Sequence, residues 1–141
     1  MKNMNARVEC PTCPTKQCFV QQHCTPEWIQ IINRSKEQTV YQKGQLLFRE
    51  GDRVSGLYFV QNGKVKVVSN GLNDKEHIVR LANDGYVIGH CAVAGESYPV
   101  GAIALEDTVA CFLSNELLKS AYLENPTFTL AFMFYYSAEL P

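Results

Sequence analysis

The chain has 141 residues, 46% of them hydrophobic and 19% charged, with a formal net charge of -1. That is enough apolar material for one compact core and too little cationic charge to hold nucleic acid by neutralising phosphates. No apolar stretch approaches the roughly 18 residues of a membrane span, and the polar N-terminus lacks the apolar segment of a secretory signal. The expected location is therefore cytoplasmic, where six cysteines point to metal or redox chemistry more than to a disulfide framework.

Residues 1–24 read as a leader rich in Cys, Pro and Gln, without a hydrophobic period. Thr25, Pro26 and Glu27 then mark a helix start: a side-chain cap, a proline in the first turn, and an acid on the positive end of the helix dipole. Trp28, Ile29, Ile31 and Ile32 give this helix an apolar face, and it is predicted to end before about Glu37. From 39 to 113 the pattern is of short strands divided by turn residues, at 39–41, 45–48, 56–61, 64–69, 77–82, 86–88, 100–105 and 108–113. Asn62-Gly63 is the strongest hairpin signal, because a type I′ turn needs positive φ at both positions. Val65 and Val67 alternate with Lys64 and Lys66, as a half-buried strand requires. Strands this short, with no helices between them, predict a roll, barrel or sandwich.

The tail changes character. Ser114 caps a short helix carrying Glu116 in its first turn and running to about Glu124, and Asn125-Pro126 restarts a second one. Phe128, Leu130, Phe132, Met133, Phe134, Tyr135 and Tyr136 make the second helix apolar almost all round, so something must cover it. It reaches Pro141 without a capping signal. A truncated helix bound for a subunit interface explains both features, with Phe128, Phe132, Tyr135 and Tyr136 as the interface residues. The alternative is a terminal helix that packs only on its own roll.

Three phrases, in order, carry a family resemblance: Lys43-Gly44-Gln45-Leu46-Leu47-Phe48-Arg49-Glu50-Gly51-Asp52, Leu57-Tyr58-Phe59-Val60-Gln61-Asn62-Gly63-Lys64-Val65-Lys66, and Asn83-Asp84-Gly85-Tyr86-Val87-Ile88-Gly89. They resemble the corresponding turns and strands of the Crp/Fnr regulators over roughly residues 10–140. The resemblance implies a mainly β fold with flanking helices, the cyclic-nucleotide-binding-like jelly roll. It divides the chain into a leader (1–24), the roll with its short helices (25–124) and the start of a dimerisation helix (125–141). It further implies a homodimer whose contacts with promoter DNA and RNA polymerase lie in a helix-turn-helix part that this sequence lacks.

Cyclic-nucleotide binders of that family place a Glu after the cassette glycine and an Arg-Ser or Arg-Thr pair about ten residues on. Here the glycine is Gly89, the Glu position holds His90, and Tyr98-Pro99 stand where the pair would be. A buried phosphate needs a cation, and no Arg or Lys lies between Arg80 and Lys119. The effector pocket is thus expected to be degenerate and not a standard cAMP or cGMP site, with a cyclic-nucleotide-binding or an unliganded regulatory module as the alternative reading. The spacing Cys10-x2-Cys13-x4-Cys18, with Cys111 in the last strand, is similar instead to the Fnr branch, whose cysteines hold a [4Fe–4S] cluster. The second gap is one residue short of that branch, and Cys24 offers a competing ligand. Zinc on Cys10, Cys13, Cys18 and Cys24 is equally open to this chemistry, as are free thiols in the leader and a plain core role for Cys111. Cys91 has no evident partner.

An enzyme of the cupin type would need converging histidines and a carboxylate. His23, His77 and His90 form no H-x-H pair, and no nucleophile–base constellation is present, so the chain is not read as an enzyme.

Overall fold

The structure is a computed structural model that describes residues 7–70, 75–89 and 96–139. Among the described residues, eight strands form two antiparallel four-stranded sheets, one ordered β1-β8-β3-β6 and the other β2-β7-β4-β5. The strands are β1 (Glu37–Tyr41), β2 (Leu46–Phe48), β3 (Gly56–Asn62), β4 (Val65–Asn70), β5 (Glu76–Ala82), β6 (Val87–Ile88), β7 (Gly101–Ala104) and β8 (Thr108–Ser114). Four α-helices among the described residues flank them: α1 (Phe19–His23), α2 (Pro26–Ser35), α3 (Asn115–Glu124) and α4 (Pro126–Glu139). This is the mainly β jelly roll with flanking helices that the resemblance implied.

The caps fall where the sequence puts them. Thr25 accepts a hydrogen bond from the Trp28 amide at 3.2 Å, and Ser114 accepts one from the Leu117 amide at 3.3 Å. Asn125 ties the helices together: it is 1% exposed, accepts from the Thr25 amide at 3.0 Å and donates to the Ala121 carbonyl at 2.8 Å. The leader is more ordered than its composition suggests. Cys10–Thr12 form a 3-10 turn and Phe19–His23 a short helix. Too short to persist alone, this helix holds because Val20 and Phe19 pack into the core beside α4.

Asn62-Gly63 does not make the expected hairpin. β3 pairs with β8 and β6, whereas β4 pairs with β5 and β7, so the dipeptide is the corner where the chain leaves one sheet for the other. Turn residues specify a reversal; they do not say which strands share a ladder.

Two cores result. Val60, Val65, Val67, Ile88, Tyr98, Ala102 and Ala110 fill the inside of the roll. Leu57, Phe59, Val87, Cys111 and Leu113 form the opposite face of the first sheet, covered by Val20, Ile32, Leu118, Phe128 and Phe132 from the helices. Phe128 and Phe132 are therefore interior residues of this chain, at 0% and 3% exposure, not outward-facing interface residues as the sequence suggested. At i and i+4 they share one helix face, and that face seats on the roll. Tyr135 is half-buried, its ring edge-on to Phe19 at 5.1 Å. The Tyr136 side chain lies outside the described residues. Leu130, Met133 and Phe134 are large apolar residues exposed on α4, at 51%, 62% and 72%.

Gly63 at the corner has φ +129°, and an added Cβ would stand 2.4 Å from Thr108 Oγ1. Gly63→Ala should therefore destabilise the chain by more than about 1 kcal/mol, read as a lowered urea midpoint with an unchanged slope.

Candidate functional site

β8 and the leader build one cavity between them. Alternation along β8 turns Ala110 into the roll and Cys111 towards the helices. Cys111 stands between Gln38 of β1 and Phe59 of β3 in the sheet register. Over it folds the 7–18 segment, so that Cys10, Cys13, Cys18 and Cys111 line a single cavity of about 30 Å³. Val20, Ile32, Phe59, Val60 and Leu113 give it an apolar wall. The four cysteines singled out in the sequence thus line one cavity, although about a hundred residues of chain separate the last from the others. Cys24 packs in the same helix-side core without lining the cavity.

The leader is held down by side chains. Asn33, 7% exposed, accepts the Cys10 amide at 2.7 Å and donates to Glu9 Oε2. Gln21 donates to the Cys10 carbonyl, Gln38 Oε1 accepts the Val8 amide at 2.8 Å, and Thr15 donates to the Gln61 carbonyl at 2.6 Å. Each of these ties has a side chain at one end, so the segment rests on the roll without joining a ladder. Lys36, 5% exposed, reaches in from the end of α2 and donates to Cys10 Sγ at 3.2 Å. Neither Asn33 nor Lys36 stood out in the sequence. A lysine at a helix C-terminus reads there as dipole compensation, and only the fold turns it inward.

Burial pushes the thiols up: Cys18 to about 12, with neighbouring Cys111 and Cys10 adding to the effect, and Cys111 to about 11, where Lys36 acts in the opposite sense. Cys24 is raised to about 12, again by burial first. The donor set suits a thiolate-ligated group: four sulfurs, apolar surroundings and one cation. Among the described residues, no three His, Cys, Asp or Glu side chains converge closely enough to grip a metal ion as they stand. The cavity has room for about two waters, so a four-iron group would need the 7–18 segment to stand further off the roll.

The roll interior is filled with side chains. Tyr98, 2% exposed, stacks on Phe48 at 4.1 Å between ring centroids, and its hydroxyl donates to the Gly56 carbonyl at 2.8 Å. Burial raises the Tyr98 pKa, which keeps that hydroxyl a donor. Gly89 has φ +89°, and a Cβ there would press on the Tyr98 ring at 3.1 Å. Pro99 is exposed. His90 and Cys91 lie outside the described residues.

The cyclic nucleotide-binding domain family model matches residues 38–125, strands β1 to β8 and the helix after them. The chain belongs to that family. Its relatives include the fumarate and nitrate reduction regulatory protein of Vibrio cholerae, 31% identical over 73% of this chain and 44% of that protein. Another is the transcriptional activator protein Anr of Pseudomonas protegens, 32% identical over 69% of this chain and 38% of that one. These are Crp/Fnr regulators, and the chain spans less than half their length. Among solved structures, the sensor domain of the transcriptional regulator DNR from Pseudomonas aeruginosa superimposes with a TM-score of 0.78 at 20% identity, over 89% of this chain and 85% of that one. That likeness is one of fold. No described helix is long and apolar enough to cross a membrane.

Because the fold holds Cys18 and Cys111 as neutral thiols, their burial favours folding fully below the ordinary thiol pKa near 8.5. The stabilisation fades as pH rises towards 11 and 12. In the metal-free chain, iodoacetamide at pH 8 should modify these two sulfurs at less than about a tenth of the rate seen in urea. Peptide mass mapping reads this, and equal rates in both conditions would place the sulfurs at the surface.

Proposed function

We propose that this chain is the sensory domain of a Crp/Fnr-type transcription regulator that reads oxygen or redox state through a [4Fe–4S] cluster on Cys10, Cys13, Cys18 and Cys111. The observation that carries the reading is the shared cavity: three leader cysteines and one strand cysteine face the same space. Four thiols are the full ligand complement of a cubane. When bound, such a group supplies a redox-sensitive tie between leader and roll. Cys10, Cys13 and Cys18 would hold it from the leader and Cys111 from the sheet, while Asn33, Gln21 and Gln38 position the leader above.

The route from sensor to output runs through α1 and α4. Phe19 packs edge-on against Phe132 at 5.0 Å and Tyr135 at 5.1 Å, one residue from Cys18. A shift of the leader therefore bears directly on α4. In this reading the outward face of α4 meets a second copy of the chain, making a homodimer, and the helix continues towards a DNA-reading part that acts on the promoter with RNA polymerase. Ile78, Val79 and Leu81 on edge strand β5 are also exposed, at 58%, 56% and 55%. Arg80 of the same strand donates to the Tyr135 hydroxyl at 2.6 Å, so the two exposed apolar sets lie on neighbouring elements. The interior position of Tyr98, stacked on Phe48 where the resemblance would call for an arginine, supports a signal other than a cyclic nucleotide.

Anaerobic reconstitution should yield absorbance at roughly 400 nm with about four irons per chain, and Cys111→Ala should abolish both. Zinc bound in place of iron, with Cys24→Ala rather than Cys111→Ala removing it, would replace the cluster by a structural site. Replacing Met133 and Phe134 with Glu should shift the chain from dimer to monomer in sedimentation velocity without loss of helix signal. A variant that stays dimeric would place the interface elsewhere.

A further inference from the structure

Lys36 is the one charged side chain among the described residues that line the cysteine cavity. It is 5% exposed, and its Nζ donates to Cys10 Sγ at 3.2 Å and to the Val8 carbonyl. Among the described residues no carboxylate forms an ion pair with it. Glu9 is close enough to feel its charge but is exposed and bonded to Asn33 and Arg7. An ammonium buried against apolar side chains is costly unless an anion compensates it. The groups that face it and can become anions are the cysteines, and Cys111 feels its positive charge as well as Cys10.

We infer that Lys36 is a positioning residue of the cysteine centre, whose fixed charge balances the thiolates when they hold a metal–sulfur group and so slows oxidative loss of that group. The inference rests on the ligand reading given above. Four thiolates leave the loaded site net negative, and oxidation removes negative charge. Lys36 caps α2 and is not part of the 7–18 segment, and its charge also reaches Cys111 on the sheet, so it stays beside the strand thiolate when the leader stands off. A fixed cation there favours the more negative state and therefore opposes oxidation. The effect is strong here because the apolar wall and the burial of Lys36 keep solvent screening low. Groups at this remove from a metal commonly set its retention about as strongly as tenfold or more.

Lys36→Gln removes the charge and keeps an N–H donor, on a side chain one bond shorter than lysine's. Lys36→Arg restores the charge. Wild type and both variants, as the full chain, are reconstituted anaerobically, iron and sulfide are counted, and the absorbance at roughly 400 nm is followed in air-saturated buffer. The expected result is equal iron per chain, decay about tenfold faster in Lys36→Gln, and decay within about twofold of wild type in Lys36→Arg. Decay of Lys36→Gln at the wild-type rate overturns the inference. So does equal acceleration in both variants with a lowered melting temperature of the metal-free chain, which would make Lys36 a latch for Val8 only. A wild-type chain that takes up no iron defeats the ligand reading first, and this inference with it. Iron uptake by wild type with unchanged decay in Lys36→Gln defeats this inference alone.

Discussion

Burial of the central strands of the first sheet, β3 and β8, on both faces is the constraint on which the rest depends. β8 is covered from the roll side and the helix side at once, and its residues from Thr108 to Cys111 are all buried. Such a strand must be apolar on both faces, and its period of two assigns each residue to one of two different environments. Ala110 keeps the roll interior closed around Tyr98 and Val60. Cys111, one residue on, belongs to the layer that the leader and α4 seal. A one-residue slip would exchange them, placing the thiol in the roll and removing it from the leader cysteines. In the register the sheet adopts, Cys111 pairs with Gln38 on one side and Phe59 on the other.

The helix layer is sealed by few residues. Asn125 joins the start of α2 to the end of α3; Phe128 stacks on Tyr122, and Phe132 meets Phe128, Tyr122 and Phe19 edge-on above the sheet. Because α1 takes part in this aromatic cluster, the leader and the last helix are mechanically adjacent. The cavity lies beneath the leader, so whatever changes the spacing of its thiols acts on the same packed layer that fixes α4. Cores of this kind shift between discrete arrangements and do not deform smoothly. The leader is tied to that layer by side chains and not by a ladder of backbone bonds.

Much of this was legible in the chain itself. Thr25 and Ser114 announce their helices because a capping hydroxyl is a local device, complete within four residues. The strands between them are marked by glycine turns and by alternation. The leader cysteines could be singled out by spacing, and Cys111 through the resemblance alone. Other features were illegible because they depend on partners distant in sequence. Asn62-Gly63 announces a reversal, yet β3 and β4 separate into different sheets. The α4 helix is apolar on every side, so its composition cannot say which face turns inward; the seat on Phe59, Phe19 and Tyr122 chooses Phe128 and Phe132. Lys36 and Asn33 look like ordinary polar residues at a helix end until the leader folds over them.

The sequence by itself determined the mainly β roll, the positions of its caps and turns, and the absence of a phosphate-neutralising cation between Arg80 and Lys119. Those are local properties of hydroxyls, glycines, alternating valines and charge. Only the tertiary structure decided that Cys10, Cys13, Cys18 and Cys111 share one cavity, that Tyr98 closes the roll, and that a buried lysine faces the thiols. Each of these is a meeting of residues from separate elements, and sheet register with helix packing, not spacing along the chain, fixes who meets whom.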